Sequence, residues 1–470
     1  MKLTIARVAQ ATAGRLVQGE AGASLTGVST DSRTIAPDQL FVAIKGERFD
    51  GHQFVRNLTK AGGALVQRWP LEAPPDLPIV VVDDTVAAYG RLAAWWRRQM
   101  PARVVALTGS NGKTTTKEML AHLLGALAPT VASLASHNNH IGVPETLLRI
   151  RPEHAFAVVE IGTNHFGEVA ALASLVEPDL ALITNIGPSH LEAFGSEEGV
   201  AREKGRLLDH LRLDGLAVLH ADDPWSRRLA AEANARVVTF GLSRAADWRA
   251  TEIQEGDEEI SFVVEPVGCR VILPAVGRCH VSNCLAAMAI AAEMGVLPAR
   301  AAERLRSFSL PKWRMQLRRI GSITLIADCY NANPASMEAA IGELARRHTP
   351  GRRVAVVGDM LELGEVAEEA HRRLGRRLAE AGVQLLCAVG ENAFFAAQEA
   401  VVAGMPPGQV FWTLENTEAA DWLTRRLGEG DTVLVKGSRA MRLEEVADAV
   451  ANWARSLMAP SRGPSVVATG

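Results

Sequence analysis

Short apolar runs alternate with segments of helical period in two long stretches of this chain. The first stretch has its runs at 104–107, 156–161, 180–183, 216–219 and 237–240, and the second at 323–327, 354–357, 385–389, 410–412 and 432–435. Apolar runs that are each followed by a helix are typical of buried parallel strands. The alternation therefore predicts an α/β fold with two parallel sheets that are covered by helices on both faces.

The length of 470 residues is too great for one hydrophobic core, since domains usually hold roughly 100 to 200 residues. We predict three domains: a small α/β domain over 1–84, a central doubly wound domain over 85–312 and a Rossmann-like domain over 313–458. Alternating runs between 248 and 273 predict antiparallel strands added to the central sheet. The tail 459–470 is small and polar with Pro and Gly, and we expect it to fray.

Composition excludes several classes of partner. A formal charge of -3 provides no basic field for a nucleic acid. The five cysteines form no CxxC pair, which indicates a reducing compartment. No stretch approaches the ~18 apolar residues needed to span a bilayer, and the N-terminus has no export signal. We therefore expect a cytoplasmic protein that binds neither nucleic acid nor membrane.

The segment TGSNGKTTTK at 108–117 follows the first apolar run of the central domain. Two glycines free its backbone, a lysine can neutralise phosphate oxygens, and the threonine hydroxyls can ligate Mg²⁺. The predicted ATP-binding residues are Thr108, Gly109, Ser110, Asn111, Gly112, Lys113, Thr114 and Thr115. The alternative is a glycine turn before a surface helix, because Leu107 stands where the usual GxxxxGK[ST] pattern has its first glycine.

Further motifs lie in all three predicted domains. They are STDSR at 29–33, KGERFDGHQF at 45–54, HNNHIGVPETLL at 137–148, EIGTNHFGE at 160–168, NIGPSHLEAFGS at 185–196, YNANPASM at 330–337, GDMLELGE at 358–365 and VKGSRAMRLE at 435–444. Together with the shortened loop TGSNGKT, they show that the chain resembles the Mur ligases over nearly its whole length.

The resemblance implies an ATP-dependent and Mg²⁺-dependent ligase. The terminal carboxylate of a UDP-N-acetylmuramoyl tripeptide would be phosphorylated to an acyl phosphate, which the amine of D-alanyl-D-alanine would attack. The implied partners are these small molecules, and we expect a monomer. Two alternatives stay open: another ligase of the superfamily, adding diaminopimelate or acting as a folylpolyglutamate synthetase, and a non-catalytic regulator that binds ATP.

A carboxylate that approaches a triphosphate is repelled by it, so such a ligase needs cations between the two anions. The resemblance assigns Mg²⁺ to Thr114, Glu160, His190 and a carbamylated Lys204, and makes Lys113 the catalytic cation. Carbamylation requires a neutral amine and hence a lowered pKa. From the residues alone, Glu160 would cap the next helix, His190 would be a structural loop residue, and Lys204 would lie on a charged helix face.

The resemblance also assigns the remaining contacts. In the central and C-terminal domains, the nucleotide contacts are His280, Asn283, Arg314 and Asp328, and the peptide contacts are Asn138, Asn139, Asn164, His165, Tyr330, Asn331 and Asn333. In the N-terminal domain, the contacts to the uridine diphosphate are Ser29, Thr30, Asp31, Ser32, Arg33, Gly46, Arg48, Phe49 and Asp50. Turn-capping or surface roles are the alternatives for most of them.

The chain departs from the family pattern at three places. His280 stands where the family has an asparagine that contacts adenine, and an imidazole lacks the paired donor and acceptor of an amide. The family has a pair of acidic residues where this chain has Ala327 and Asp328, so one of the two carboxylates is kept. Trp313 replaces a glycine before Arg314, which leaves the flexibility of that hinge open.

Overall fold

The computed structural model describes residues 3–46, 49–69 and 73–458. Arg48, which the sequence assigns to the substrate, and the tail 459–470, which it predicts to fray, lie outside that part. Within the described ranges, no helix is long and apolar enough to cross a membrane.

The N-terminal region is built on a five-stranded sheet. Its elements are β1 (Leu3–Thr4), α1 (Ile5–Thr12), β2 (Arg15–Gln18), β3 (Ser24–Leu25), β4 (Gly27–Ser29), β5 (Gln39–Val42), β6 (Gly63–Val66) and β7 (Ile79–Val81). The strand order is β2-β7-β6-β5-β4, in which β4 to β7 are parallel and β2 is antiparallel to β7. This sheet is more regular than the irregular sequence pattern of the region indicates.

The central region contains a nine-stranded sheet with helices on both faces. Its first half consists of α2 (Thr85–Arg97), β8 (Arg103–Thr108), α3 (Lys113–Leu124), β9 (Thr130–Ala132), α4 (Gly142–Leu148), β10 (Phe156–Glu160), α5 (Glu168–Val176) and β11 (Leu180–Ile183). Its second half consists of α6 (Leu191–Phe194), α7 (Glu197–Gly205), β12 (Leu216–His220), α8 (Pro224–Glu232), β13 (Arg236–Gly241), β14 (Trp248–Glu255), β15 (Ile260–Glu265), β16 (Cys269–Leu273), α9 (Cys279–Glu293) and α10 (Pro298–Leu305).

The order of the central strands is β16-β15-β14-β13-β12-β11-β8-β10-β9. The strands from β8 to β14 pair in parallel, whereas β15 is antiparallel to both of its neighbours, β14 and β16. Each predicted apolar run coincides with a strand, and the predicted antiparallel extension is confirmed. Because β8 lies between β10 and β11, the loops that follow these three strands meet at one edge of the sheet, where ligands bind in folds of this kind.

The C-terminal region contains a six-stranded sheet of order β17-β18-β22-β19-β20-β21. Its elements are β17 (Gln316–Ile320), β18 (Ile323–Ala327), α11 (Pro334–Arg346), β19 (Arg353–Gly358), α12 (Ala367–Glu380), β20 (Leu385–Val389), α13 (Ala393–Val402), β21 (Val410–Thr413), α14 (Asn416–Thr424), β22 (Thr432–Lys436) and α15 (Glu444–Met458). Only β17 is antiparallel to its neighbour. The α/β fold class is confirmed, with one main sheet in each of the three regions and a small β1-β3 sheet beside the first, while the limits of the domains stay predictions.

Burial explains why the sheets form where they do. Val105 and Leu107 of β8 pack with α3 and α9 on one face of the central sheet. Val104 and Ala106 of the same strand pack with α2, α4 and α5 on the other face. A strand that is buried on both faces reads as a continuous apolar run, as the sequence does here.

Candidate active site

The loop between β8 and α3 needs glycine at two positions. Gly109 has φ +146°, and a Cβ there would lie 1.9 Å from the Thr184 hydroxyl oxygen. Gly112 has φ +82°, and a Cβ there would lie 2.3 Å from Oδ1 of Asn283. No other residue fits such close approaches at a positive φ. The predicted sequence of strand, glycine loop and helix is confirmed, and α3 begins at Lys113.

The NIGPSH segment fixes the shape of this loop. Asn185 accepts hydrogen bonds from the backbone N–H of Ser110 through its carbonyl (2.9 Å) and from that of Asn111 through its side chain (3.0 Å). Thr184 donates its hydroxyl to the Asn111 carbonyl (2.6 Å). These two N–H groups are therefore used inside the protein, whereas the N–H groups of the first turn of α3 have no partner within the helix and can donate to an anion. The sequence pattern includes NIGPSH in a motif, but it indicated no role for Asn185 or for Thr184, which directly precedes the motif.

Lys113 bends back over the loop, and its ammonium donates to the carbonyl of Gly109 at 2.7 Å. Burial in the cleft lowers the pKa of Lys113 to about 8, although the nearby Glu160 carboxylate opposes the shift. A cation held inside a glycine loop can exchange its carbonyl partner for a phosphate oxygen, which is a stronger acceptor.

Glu160, at the end of β10, lies beside the start of α3. Its Oε1 accepts hydrogen bonds from the Thr114 hydroxyl (3.2 Å) and from the Asn138 amide (2.8 Å). Its Oε2 is buried and finds no hydrogen-bond partner among the described residues. Thr114 also contacts the hydroxyl of Ser136 (2.9 Å), a residue that the sequence interpretation missed. A buried carboxylate oxygen without a donor is expensive unless a cation or water meets it.

Lys204 lies on α7 and is 1% exposed, so it does not belong to a solvated helix face. Its Nζ has no hydrogen-bond partner in the described part of the chain. Burial, followed by the positive charge of Lys113, holds the pKa of Lys204 well below its usual value. This shift favours the neutral amine, which is the state that carbamylation requires.

Glu203, next to Lys204, is the residue that holds α7 against α5. Its carboxylate is 2% exposed and accepts from the backbone N–H of Gly167 and of Val169, both at 2.8 Å. A carboxylate at a helix N-terminus satisfies donors that have no partner within the helix. Nothing in the EGVAREKG pattern distinguishes this glutamate from its exposed neighbours, and the sequence interpretation missed it.

His190 begins α6 with φ +52°. Its Nδ1 forms a short hydrogen bond with the Glu362 carboxylate, which belongs to the C-terminal region. The ring also packs edge-on against Phe194. His190 lines the same cavity as Lys113 and Glu160, so the structure brings it to the predicted edge of the sheet.

Arg314 crosses from the third region toward the loop. Its guanidinium stacks on the Tyr330 ring at 3.9 Å and donates to the Thr114 hydroxyl at 3.2 Å. The segment around it has left-handed backbone at Trp313 (φ +63°) and Met315 (φ +51°). Trp313 thus adopts the conformation that the glycine it replaces would favour.

Asp328 fastens this segment to the third sheet. Its carboxylate accepts from the backbone N–H of Met315 (2.9 Å) and from the ammonium of Lys436 (2.6 Å). Lys436 is 1% exposed and also donates to the carbonyl of Asn331 at 3.0 Å. A buried pair with these additional hydrogen bonds is well satisfied, so Asp328 and Lys436 stiffen the entry to the third region.

His280 lies in the first turn of α9 and is 3% exposed. Its Nδ1 contacts the Asn283 amide at 3.4 Å, while its Nε2 finds no hydrogen-bond partner within the described residues. Burial lowers the pKa of His280 to about 4, so the ring is neutral at pH 7. The adjacent Cys279 lines the same cavity.

One cavity of about 510 Å³ lies between the central and C-terminal regions. It brings together the predicted site residues Ser110, Asn111, Gly112, Lys113, Thr115, Asn138, Glu160, Asn164, His190, His280, Asn283, Arg314, Asp328, Tyr330, Asn331 and Asn333. Asn333 donates to the Asn111 side chain at 2.8 Å, which joins α11 to the loop. Among the described residues, no group of three or more His, Cys, Asp or Glu side chains could hold a metal.

Other predicted site residues lie apart from this cavity lining. Thr108, Gly109 and Thr114 belong to the phosphate loop and the start of α3 and are buried. Lys204 is buried on α7. The Asn139 side chain caps α4 by accepting from Ile141 and Gly142, each at 3.1 Å. His165 is largely exposed next to Glu168.

The N-terminal set lies around one end of the five-stranded sheet. Ser29 ends β4, and Asp31 forms an ion pair with Arg33 that lowers the Asp31 pKa to about 2. Thr30 and Ser32 share that turn, and Gly46 and the exposed Phe49 flank the residues that are not described. The Asp50 carboxylate is already engaged by His52 and Arg68.

Comparison with known proteins matches most of the chain to one family. Residues 24–93 match the model "Mur ligase family, catalytic domain", residues 107–291 the Mur ligase middle domain, and residues 313–439 the Mur ligase glutamate ligase domain.

Two relatives carry the name UDP-N-acetylmuramoyl-tripeptide–D-alanyl-D-alanine ligase. The protein from Escherichia coli K12 is 41% identical over 91% of this chain and 94% of that protein. The protein from Bacillus subtilis 168 is 33% identical over 95% of this chain and 98% of that protein.

Solved structures agree with this match. MurF from Acinetobacter baumannii superposes with a TM-score of 0.86 at 33% identity, covering 96% of this chain and 99% of that one. MurF from Thermotoga maritima in complex with ADP has a TM-score of 0.81 at 26% identity, covering 92% of this chain and 98% of that one. The chain belongs to the Mur ligase family of ATP-dependent ligases.

Proposed function

We propose that this chain is a UDP-N-acetylmuramoyl-tripeptide–D-alanyl-D-alanine ligase. The observation that carries the proposal is the similarity, along more than nine tenths of the chain, to the relatives of that name at 33% and 41% identity. The cavity supports it, since the phosphate loop and Glu160, which has a partnerless carboxylate oxygen, line one space, and the buried amine of Lys204 lies near enough to Lys113 to feel its charge.

The first step would be phosphorylation of the tripeptide's terminal carboxylate. A carboxylate oxygen attacks the γ-phosphorus of ATP, the bond to the β,γ-bridging oxygen breaks, and ADP leaves. Lys113 and the first-turn N–H groups of α3 are positioned to hold the β- and γ-phosphates. Arg314, already 3.2 Å from the Thr114 hydroxyl, would bring a further cation to the γ-phosphate.

Mg²⁺ fits the oxygen groups beside the loop. The Thr114 hydroxyl and the partnerless Oε2 of Glu160 would hold it, together with phosphate oxygens and water, since Mg²⁺ sites need few protein ligands. When bound, the ion would offset the negative charge that the carboxylate and the triphosphate bring together.

Carbamylation fits the state of Lys204. The neutral Nζ would form a bond to the carbon of carbon dioxide and lose a proton, which converts the amine into an anion. An anion at this position would be paired with the positive charge of Lys113. It would also supply, together with His190, a ligand for a second metal ion.

The second step would be attack of the dipeptide amine on the acyl carbon. A new amide bond forms, the bond from the acyl carbon to the phosphate-bearing oxygen breaks, and inorganic phosphate leaves. The polar side chains on the cavity wall would orient the peptide ends; they are Asn138, Asn164, Tyr330, Asn331 and Asn333. The products would be UDP-muramoyl pentapeptide, ADP and phosphate.

The nucleotide base would lie against α9. Asn283 touches the loop beside Gly112, and His280 presents an unpaired Nε2 to the same cavity. If Asn283 donates to Nδ1 of His280, then Nε2 carries the proton and offers one donor to a purine nitrogen. The pair would therefore replace the amide contact of the family with a single hydrogen bond.

The uridine diphosphate would bind the N-terminal region. The turn that carries Asp31 and Arg33, and the loop around Gly46 and Phe49, present polar groups and an exposed aromatic ring at one end of the sheet. We place the reaction in the cytoplasm, where ATP and nucleotide-linked precursors are available.

The alternatives receive less support. A diaminopimelate ligase matches with a TM-score of only 0.54 at 16% identity, and this likeness reflects the shared fold. A non-catalytic regulator would have no need of Lys113 and Glu160 on one cavity wall with the buried Lys204 amine near Lys113.

The test is to incubate the protein with ATP, Mg²⁺, UDP-muramoyl tripeptide and D-alanyl-D-alanine and to identify the product by mass spectrometry. Each component is then omitted in turn while released phosphate is measured. We expect pentapeptide only in the complete mixture. Phosphate release that does not depend on the dipeptide, or no release at all, would reject the proposal.

A further inference from the structure

A glutamate of the C-terminal region reaches the histidine at the edge of the central sheet. Glu362 lies in the GDMLELGE segment, and its carboxylate forms a short hydrogen bond with Nδ1 of His190. The two residues are separated by 172 positions in sequence. The contact therefore exists only while the C-terminal region is docked on the central one.

The backbone reinforces this docking. The N–H of Glu192 donates to the carbonyl of Glu362 at 3.2 Å. Gly364 has φ +60°, and a Cβ at that position would lie 3.3 Å from the Cα of Glu192. The segment thus approaches α6 so closely that only a glycine fits without displacement.

The side-chain contact determines which ring nitrogen of His190 is free. A carboxylate accepts hydrogen bonds, so the proton of a neutral ring is held on Nδ1 when that atom faces Glu362. The lone pair then lies on Nε2. Histidines that bind metals usually make such a hydrogen bond through their other nitrogen, which fixes the tautomer and the orientation of the ring.

We propose that Glu362 is a positioning residue that prepares His190 as a metal ligand only when the C-terminal region closes on the central one. The inference rests on the proposed function, because His190 is assigned to the metal there. It makes the GDMLELGE segment part of the assembly that prepares the metal site, through the contact of Glu362 with His190.

The exposure of the pair agrees with a contact that forms on closure. The Glu362 side chain is 52% exposed and that of His190 is 19% exposed. Exposed ion pairs contribute little to folding stability. The value of this contact therefore lies in orienting the ring, and its loss should leave the folded protein intact.

The experiment measures Mn²⁺ binding by electron paramagnetic resonance in the presence of a non-hydrolysable ATP analogue. Glu362→Ala should weaken Mn²⁺ binding about tenfold, as loss of an orienting carboxylate usually does. Glu362→Gln keeps an acceptor oxygen and should recover part of that loss. Glu365→Ala, an exposed neighbour in the same segment, is the matched control and should bind Mn²⁺ like the wild type.

A second variant tests docking without touching the carboxylate. Gly364→Ala should push the segment away from Glu192 and weaken Mn²⁺ binding as Glu362→Ala does. The free energy of unfolding of Glu362→Ala should stay at the wild-type value, because the exposed contact adds little to stability.

Mn²⁺ binding by Glu362→Ala within about twofold of the wild type would overturn the inference, and so would equal weakening by Glu365→Ala. Failure of the proposed function is a separate result, because it would appear as a wild-type protein that makes no pentapeptide.

Discussion

At the scale of single residues, burial sets the charge of the basic groups around the cavity. Lys113 keeps a carbonyl partner and the neighbouring Glu160, whereas Lys204 has an unpaired Nζ and lies close to the positive charge of Lys113. The two buried lysines thus have different surroundings, and the proposed function gives them different parts, Lys113 as a cation for phosphate and Lys204 as an amine for carbamylation. The difference follows from desolvation and from the partners each amine finds.

Lys204→Ala tests the neutral amine. We expect ligase activity to fall at least about 100-fold, because the position would lose a ligand rather than an orienting group. A small carboxylic acid in the buffer should restore part of the activity by taking the place of the carbamate.

The control is Arg202→Ala on the exposed side of α7, which should keep its activity. Carbon-13 bicarbonate should also give a carbamate signal in the wild type that is missing from Lys204→Ala. Full activity of Lys204→Ala would contradict carbamylation and would show that Lys204 has only a structural role.

His280 should make stability depend on pH. Its pKa is about 4 in the folded protein and about 6.5 in the unfolded chain. As the pH falls below 6.5, His280 becomes protonated in the unfolded chain but stays neutral in the folded protein. The free energy of unfolding therefore decreases progressively down to pH 4. At pH 5 the loss amounts to about 2 kcal/mol.

Urea unfolding of the wild type and of His280→Asn at pH 7.5 and pH 5 measures this effect. The variant should lose about 2 kcal/mol less than the wild type between these two pH values. Equal losses in both proteins would show that His280 takes up its proton in the folded state.

At the scale of elements, the site depends on how closely neighbouring loops approach one another. The loop after β8 is held by Thr184 and Asn185, which follow β11, and the Asn283 side chain of α9 lies close against Gly112. On the other side, Glu203 of α7 holds the start of α5. The cavity is therefore shaped by contacts between elements, in addition to the loop's own sequence.

Gly109→Ala should damage the loop. Its Cβ would collide with the Thr184 hydroxyl at 1.9 Å, and its φ of +146° is strained for alanine by about 1–3 kcal/mol. We expect ATP affinity, measured by calorimetry, to fall at least about tenfold.

Gly342→Ala is the matched control for that substitution. This glycine lies in α11 with open space around it, so alanine should leave ATP binding unchanged and stabilise the helix by up to about 1 kcal/mol. ATP affinity of Gly109→Ala equal to that of this control would contradict the assignment of the loop.

Glu203→Gln should destabilise the packing of α5 on α7. An amide presents a donor to one of the two N–H groups that the carboxylate now satisfies, which should cost about 1–3 kcal/mol of unfolding free energy. Glu198→Gln on the same helix is exposed and should change stability by less than about 0.5 kcal/mol. Denaturant unfolding that shows equal effects would mean that Glu203 is not a cap.

At the scale of the whole molecule, the three sheets supply different parts of one reaction. The central sheet carries the phosphate loop and the acidic edge, the third brings Arg314, Tyr330 and Glu362 to it, and the N-terminal sheet presents a separate polar end. Closure of two domains over such a cavity commonly excludes water, and opening releases product, so the proposed function assigns these movements to the central and C-terminal regions.

Sequence predicts this architecture well where signals are local. Buried parallel strands are continuous apolar runs, so β8, β10 and β11 can be identified from the sequence. The loop between β8 and α3 can be identified because its glycines, lysine and threonines lie in one short segment. The first turn of α9, which begins at Cys279, carries polar and thiol groups that hide the helical period. Boundaries are set by capping and contacts more than by periodicity.

The residues that sequence missed act through partners far along the chain. Thr184, Asn185, Glu203 and Glu362 have ordinary side chains for a loop or helix, and their roles appear only when the fold brings their partners near. The same holds for Trp313, whose left-handed backbone is not visible in its sequence context.

The central claim is that the tripeptide's terminal carboxylate is phosphorylated before the amide bond forms. The most direct test uses UDP-muramoyl tripeptide labelled with oxygen-18 in that carboxylate and follows the released phosphate by mass spectrometry. The account predicts that each phosphate carries one labelled oxygen, because the acyl–oxygen bond breaks in the second step. Phosphate without the label, formed alongside pentapeptide, would contradict it.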